Sequence, residues 1–208
     1  MPPTNLFYDL GSFYEERLMR LMQTFLAGMA LLAGMSLAVA AELKSGKQPG
    51  DMIGAFDVVK CAGTEADGVD LGTKLCYRCK YGNRPMVMVF SRKSDDSISG
   101  LVKKLDAAVE KNSDDQLAAF VNLLGDNEDA LEAHAKELGK KVAAPRVPIV
   151  VPVEYENGPA DYGINPDAEV TVILAVKGTV VANHAYGPGQ LNKKAVDQIL
   201  ADVPKILQ

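Results

Sequence analysis

The two residues best suited to chemistry are Cys76 and Cys79, which lie three positions apart in the segment LCYRCKYGNRP. A Cys-x-x-Cys pair can cycle between a dithiol and a disulfide, and the exchange proceeds through a thiolate nucleophile. Arg78 and Lys80 lie on either side of Cys79, and a neighbouring positive charge is expected to lower a thiol pKa. The pair is therefore a candidate redox centre, with Cys76 and Cys79 as candidate catalytic residues.

Other interpretations of the same pair remain open. A structural disulfide would close a tight loop at the edge of a sheet, in a compartment where disulfides persist. A metal site could take thiolates from Cys61, Cys76 and Cys79, although the second Cys-x-x-Cys or paired histidines of strong zinc motifs are missing. Covalent haem attachment usually needs a His directly after the second Cys, and a lysine stands there instead. No cofactor is predicted on this basis.

The third cysteine and the two histidines have structural interpretations. Cys61 could be a resolving thiol or an intermolecular partner, but burial is the favoured interpretation. His134 is a candidate for the fourth metal ligand, yet it shares a predicted helix face with Leu131 and is expected to be partly buried. His184 is the other candidate, and it shares a strand face with Tyr186, which again favours a structural role.

The composition argues against several classes of protein. The net charge of −5, from 22 Lys and Arg against 27 Asp and Glu, argues against a nucleic-acid-binding protein held by phosphate contacts. A charged fraction of 24% with 48% hydrophobic residues is unlike a disordered chain. The sequence contains no G-x-S-x-G, Walker A or G-x-G-x-x-G motif, so hydrolase, nucleotide-binding and kinase functions have no support.

The N-terminal segment has the pattern of an export signal. Residues 21–40 carry no charge, Arg17 and Arg20 precede them, and the segment ends in Ala-Val-Ala at Ala40. A basic region, an apolar region and a small-x-small end predict a signal peptide at residues 1–40, cleaved after Ala40. An uncleaved membrane anchor is the alternative, because about 20 apolar residues can span a bilayer.

Cleavage would leave one domain at residues 41–208, which is long enough to bury a core of its own. Met19 would be a natural start for the signal peptide, so the true first residue could lie near position 19. The expected location is periplasmic or extracellular, with membrane attachment only if the leader is retained.

Apolar patterns predict strands that alternate with helices. Residues Met86 to Ser91 form a continuous apolar run after Pro85, which is typical of a central strand buried on both faces. The run at 147–153 contains two prolines, which predicts an edge strand or an interrupted one. Lys177-Gly178 separates two β-branched runs and predicts a hairpin.

The order of these elements predicts the fold class. The remaining elements are a strand at 55–60, a helix from 98 to 109 capped by Asp95 or Asp96, a strand at 117–124, a helix closing at Gly139, hairpin strands at 170–176 and 179–186, and a C-terminal helix capped by Asn192. Strand–helix units followed by a hairpin and a closing helix predict an α/β fold, with a mixed central sheet flanked by helices on both faces.

This order resembles the thioredoxin-like superfamily, in particular the exported redoxins of the TlpA and AhpC/TSA type. The resemblance covers residues 48–205 and includes GDMIGAF from Gly50 and the Tyr-Gly-Ile at Tyr162. The CYRC followed by G-x-R-P is also similar to exported thioredoxin-domain proteins without an assigned activity. The resemblance implies a thioredoxin-like fold, redox work on thiols, and protein thiols, protein disulfides or a peptide as partner.

The sequence departs from the family at the usual redox site. In the family, Cys-x-x-Cys follows the central strand at the start of a helix, where N–H groups stabilise a thiolate. Here the segment from Ser91 to Ser99 contains no Cys, and Asp95 and Asp96 place negative charge there. The family's cis-proline would fall near Val170, where no Pro is found.

Two hypotheses of function follow, and the family's catalytic residues are not transferred to either. The first is an exported thiol–disulfide oxidoreductase that uses the displaced Cys76–Cys79 pair. The second is a non-catalytic thioredoxin-fold module with a structural disulfide or zinc site. Such a module would bind a protein or peptide through a sheet edge or the 154–167 loop.

Overall fold

A computed structural model describes residues 43–207, and the predicted signal peptide lies outside the described residues. The strands are β1 (Val58–Ala62), β2 (Lys74–Leu75), β3 (Met86–Ser91), β4 (Ala118–Leu123), β5 (Ile149–Pro152), β6 (Val170–Val176) and β7 (Thr179–Tyr186). The helices are α1 (Tyr77–Tyr81), α2 (Asp96–Lys111), α3 (Glu128–Val142) and α4 (Lys193–Asp202). Within the described range, none of the helices has the length and apolar character needed to cross a membrane.

The strands form one seven-stranded mixed sheet in the order β2-β1-β5-β4-β3-β6-β7. The three strands β3, β4 and β5 are parallel to one another, whereas β1, β2, β6 and β7 join by antiparallel pairing. Every residue of β3 and β4 is buried, as the continuous apolar run at 86–91 predicts. The turn between β6 and β7 has positive φ at both Lys177 and Gly178, which matches a tight hairpin of the predicted kind.

The sheet separates two apolar clusters. The helices α2, α3 and α4 pack on one face, against alternate residues of the inner strands such as Val89, Val121 and Val172. The other face is covered by α1, by the segment that leads into β1 and by the loop before β6. The second face carries α1 and therefore the Cys76–Cys79 pair.

Side-chain caps begin the longer helices, two of them at positions that the sequence predicts and a third at Asn127. The carboxylate of Asp95 accepts the N–H groups of Ser97 and Ile98 at the start of α2. Asn127 and Asn192 cap α3 and α4 in the same way, each accepting an N–H three residues later. These bonds satisfy amides that have no partner within the helix.

The structure corrects one helix boundary and the position of one strand predicted from sequence. The helix α3 does not close at Gly139 but continues to Val142, since Gly139 is a packing position: a Cβ there would collide with Ala62 of β1. The prolines of the 147–153 run do not confine it to an edge. Pro148 precedes β5 and Pro152 ends it, so β5 pairs with β1 on one side and with β4 on the other.

Candidate functional site

The Cys-x-x-Cys segment forms a short helix, α1, that crosses one face of the sheet. It follows the edge strand β2, which lies four positions from β3 in the sheet, and the turn at 82–85 then leads into β3. Sequence reasoning did not predict this helix, because five residues are too few to show a helical period. Cys79 therefore lies in a helix over the sheet, and Cys76 is the N-cap of that helix.

Two tyrosines attach α1 to the sheet. Tyr77 and Tyr81 stand four positions apart, so both side chains point to the same side of the helix. Both are buried, and their ring centroids lie 5.6 and 6.0 Å from that of Phe120 in β4. Cys79 and Lys80 are left on the solvent side.

A buried lysine is linked to the same helix through hydrogen bonds. The Lys60 side chain in β1 is fully buried, and its ammonium donates to the carbonyls of Thr64 and Val69 and to Asp67 Oδ1, at 2.6 to 2.8 Å. The hydroxyl of Tyr77 donates to the other carboxylate oxygen of Asp67, at 2.6 Å. The hydrogen-bonded series Lys60–Asp67–Tyr77 therefore connects the strand β1 to the first residue after Cys76.

Burial and the hydrogen bonds of this network shift the pKa values of Asp67 and Tyr77. Burial disfavours the Asp67 carboxylate, but hydrogen bonds from Lys60, Tyr77 and the Val69 N–H outweigh that cost and lower the pKa of Asp67. Burial and the bond to Asp67 raise the pKa of Tyr77 far above its ordinary value. Asp67 is thus a carboxylate and Tyr77 a neutral phenol at neutral pH. Sequence reasoning missed it, although a lysine inside the apolar run VVKCA is a signal that could have been found.

The two cysteines form a disulfide, with their Cα atoms 5.2 Å apart. The sulfurs have different surroundings: Cys79 is exposed and Cys76 is half-buried. The Cys79 N–H donates to Cys76 Sγ over 3.0 Å. Arg78 between them is half-buried, and its Nε has no hydrogen-bond partner among the described residues. Cys79 is therefore the more accessible residue of the pair, and the Cys76 sulfur already accepts a hydrogen bond.

The segment after β3, where the resemblance to redoxins implies thiols, holds a carboxylate in this chain. Ser91, the last residue of β3, pairs with Val170 of β6, and the Asp95 cap begins α2 just beyond. Hydrogen bonds from Ser97, together with the Ile98 N–H, lower the pKa of Asp95 despite some burial. The amides that would stabilise a thiolate are therefore already used by an oxygen anion.

The third cysteine is separate from the disulfide. Cys61 belongs to the cluster beneath α2–α4, whereas Tyr77 of α1 belongs to the cluster on the opposite face. The structure does not bring Cys61, Cys76 and Cys79 together, and within residues 43–207 no group of three His, Cys, Asp or Glu side chains could hold a metal ion. Cys61 is buried, as predicted, on the floor of a cavity of about 470 Å³.

Burial raises the pKa of the Cys61 thiol from 9.0 to about 11, with a further contribution from Glu132. The group is therefore a neutral thiol at pH 7 to 8, and thiolate-specific reagents should leave it unmodified. We expect oxidised protein to show no rapidly labelled thiol when native and one when denatured. Rapid labelling of Cys61 in the native protein, identified by peptide mass, would contradict this expectation.

The histidines lie away from the disulfide. His184 Nε2 is 3.1 Å from Asp202 Oδ2, and its ring stacks on Tyr186, which supports the structural role predicted for it. His134 is exposed and not partly buried as predicted, because α3 turns Leu131 and Ala135 toward the sheet and leaves position 134 facing solvent.

Known proteins resemble this chain in structure and not in sequence. No family model matches it, and no curated protein sequence matches it. A crystal structure assigned as a thiol:disulfide interchange protein DsbE from Chlorobium tepidum has a TM-score of 0.53 at 15% identity, covering 75% of this chain and 98% of that one. Mycobacterium tuberculosis AhpC has a TM-score of 0.57 at 13% identity, covering 76% and 97%.

A solution structure assigned as a protein disulfide isomerase from Bacteroides thetaiotaomicron is similar as well, with a TM-score of 0.53 at 13% identity and coverage of 79% and 94%. Identities this low support a shared fold and carry no site residue from one chain to the other. The strand order, the hairpin and these similarities agree with the fold predicted from sequence. The chain therefore has the thioredoxin-like fold of the redoxins.

Proposed function

We propose that this protein is an exported thiol–disulfide oxidoreductase in which Cys76 and Cys79 alternate between disulfide and dithiol. The observation that supports the proposal most strongly is the placement of the disulfide. It lies on the solvent side of α1, while Tyr77 and Tyr81 fix the other side of that helix to the sheet. A rigid support under an accessible disulfide is what repeated exchange with a protein substrate requires.

The chemistry is two successive exchanges. A substrate thiolate attacks one sulfur of the pair, the bond between Cys76 and Cys79 breaks, and its electron pair leaves on the other sulfur as a thiolate. A second substrate thiolate then attacks the substrate sulfur of the mixed disulfide and releases the second protein thiolate. Two electrons pass from substrate to protein, and the protons of the two substrate thiols are released to solvent or taken up by the protein. The same steps in reverse reduce a substrate disulfide.

The different exposure of the two cysteines supports a different role for each sulfur. Cys79 is exposed and is the sulfur that a substrate can reach. Cys76 is half-buried, and the hydrogen bond from the Cys79 N–H would favour its thiolate as the leaving group. Cys79 is therefore the residue that forms the mixed disulfide, and Cys76 is the residue that resolves it.

The proposal includes export of the protein and protein thiols or disulfides as its substrates. The signal peptide predicted at residues 1–40 would deliver the domain at 41–208 to the periplasm or the extracellular space. Disulfides persist there, so a pair that turns over would meet protein thiols and protein disulfides as substrates.

The direct test is reduction of insulin by dithiothreitol in the presence of the protein. We expect the wild-type protein to accelerate the reaction, and the double variant Cys76→Ala with Cys79→Ala to show only the background rate. The matched control is Cys61→Ala, which removes a thiol on the other face of the sheet and should retain activity. Wild-type protein that gives only the background rate would refute the proposal.

A second candidate function is a non-catalytic binding module in which the disulfide is structural. The observation in its favour is the Asp95 cap, which occupies the usual redox position with a carboxylate. Under this alternative the disulfide would resist reduction until the protein unfolds, and neither cysteine variant would change binding to a partner.

A further inference from the structure

The disulfide lies within a segment of unusual charge. From residue 71 to residue 94 the chain has six basic and no acidic side chains, although the whole chain has a net charge of −5. Asp70 and Asp95 are the acidic residues at its two limits. The segment therefore carries a local positive charge in a protein whose net charge is negative.

Three cations on α1 or on the hairpin turn that packs near it form no ion pair among the described residues. Among residues 43–207, Lys74 pairs with Asp57 and Lys93 lies near Glu169, but Arg78, Lys80 and Lys177 form no ion pair. We call these three residues the cationic rim. Their charge is available to another molecule, whereas the charges of paired surface residues largely cancel.

The residues of the cationic rim lie on α1 and on the hairpin turn that contacts it. Arg78 and Lys80 lie immediately before and after Cys79 on α1. A Cβ placed on Gly178 would lie 3.1 Å from Arg78 Nη2, and the Lys177 N–H donates to the Asn83 carbonyl at 3.1 Å. The hairpin turn that contains Lys177 therefore packs close to the guanidinium of Arg78 and to the turn that follows α1.

An apolar side chain lies within the same surface. Met52 is 62% exposed, and its methyl group would lie 3.5 Å from the same Cβ on Gly178. Its neighbour Asp51 is acidic, and the Asp51 carboxylate accepts the Gln48 N–H. A flexible methionine among unpaired cations suits a peptide that has acidic side chains around an apolar or thiol-bearing centre.

We propose that the cationic rim selects protein substrates whose reacting cysteine is flanked by Asp or Glu. The inference rests on the proposed function and adds a substrate class to it. Encounter with an acidic segment would be accelerated by long-range attraction, and the attraction would be screened by salt. Arg78 and Lys80 would contact the residues on either side of the substrate cysteine as it approaches Cys79.

The test compares two peptides of equal length, each with one cysteine in a mixed disulfide with 2-mercaptoethanol. One peptide has Glu and the other has Lys on both sides of the cysteine. We expect reduced wild-type protein to react with the Glu peptide about tenfold faster or more at ~20 mM salt, and the ratio to approach 1 at ~500 mM salt. Both peptides react with the same protein, so a change in the intrinsic reactivity of the protein thiols cancels in the ratio of the two rates.

Two charge-reversal variants, each at an exposed lysine, test whether the position of the charge matters. Lys80→Glu should lower the rate ratio about fivefold or more, because one rim charge is reversed. The control is Lys103→Glu, which makes the same change of net charge on α2, a helix on the other face of the sheet, and should leave the ratio near its wild-type value. Bis(2-hydroxyethyl) disulfide, a neutral reagent, reports exchange chemistry without charge selection.

The outcomes separate the two proposals. Equal rates for the two peptides, with normal reaction of the neutral disulfide, would overturn the acidic-substrate inference and leave the oxidoreductase intact. An equal effect of Lys80→Glu and Lys103→Glu would also overturn it, since net charge and not the rim would then be responsible. No reaction with either peptide or with the neutral disulfide would refute the oxidoreductase, and the inference with it.

Discussion

The variant Cys76→Ser is expected to accumulate a stable mixed disulfide on Cys79, while Cys79→Ser accumulates little. In the first variant the exposed thiol remains, attacks a substrate disulfide and finds no partner to release the product. In the second variant the remaining thiol is half-buried, so we expect its trapping rate to be lower by about tenfold or more. The measurement is intact mass after incubation with a glutathionylated peptide, followed over time.

This order of attack is a consequence of local structure. The side chains of Tyr77 and Tyr81 turn one side of α1 toward the sheet, and Cys79 lies on the opposite side. Circular dichroism of both variants would establish that each is folded, and Cys61→Ala serves as the control that should trap nothing. Trapping on Cys76 alone would contradict the assigned roles, and trapping on neither cysteine would contradict exchange itself.

The variant Lys60→Met is expected to lose about 3 to 5 kcal/mol of unfolding free energy, because it removes one partner of a buried ion pair. The Lys60 ammonium makes three hydrogen bonds, and without it the Asp67 carboxylate and the carbonyls of Thr64 and Val69 lose their donor. The measurement is urea unfolding followed by circular dichroism. The matched control is Lys104→Met, whose exposed pair with Asp197 should contribute about 1 kcal/mol or less.

The same network gives the pH dependence of stability a direction. The folded pKa of Asp67 lies below its ordinary value of 3.8, so the folded state binds this proton less readily than the unfolded state. The stabilisation is therefore fully present above pH ~4 and is lost as the pH falls through the lower folded pKa. Asp67→Asn should remove this part of the acid sensitivity. Equal losses in Lys60→Met and Lys104→Met would contradict the role assigned to the network.

Local patterns in the sequence predict much of the fold. The strand at 86–91 is predicted at its observed bounds, because six consecutive buried residues produce an uninterrupted apolar run. The hairpin at Lys177-Gly178 is predicted because its turn chemistry depends on those two residues alone. The caps at Asp95 and Asn192 follow in the same way from a side chain and the N–H groups directly after it.

The site itself was predicted only in part. The sequence identifies Cys76 and Cys79, but not the helix that carries them, since α1 is anchored by contacts of two tyrosines with Phe120, a residue about 40 positions away. Lys60 and Asp67 are linked by a contact between a strand and a loop that has no local pattern. The end of α3 was misplaced for a similar reason, because Gly139 is required by a close contact with Ala62.

The central claim is that the Cys76–Cys79 disulfide turns over in the folded protein. The most direct measurement is the fraction of this disulfide, by mass after alkylation, in folded protein equilibrated with glutathione buffers of graded potential. We predict that it opens between about −120 and −270 mV, the range of known disulfide exchangers. A disulfide that stays closed below about −300 mV until the protein unfolds would contradict the account and make the pair structural.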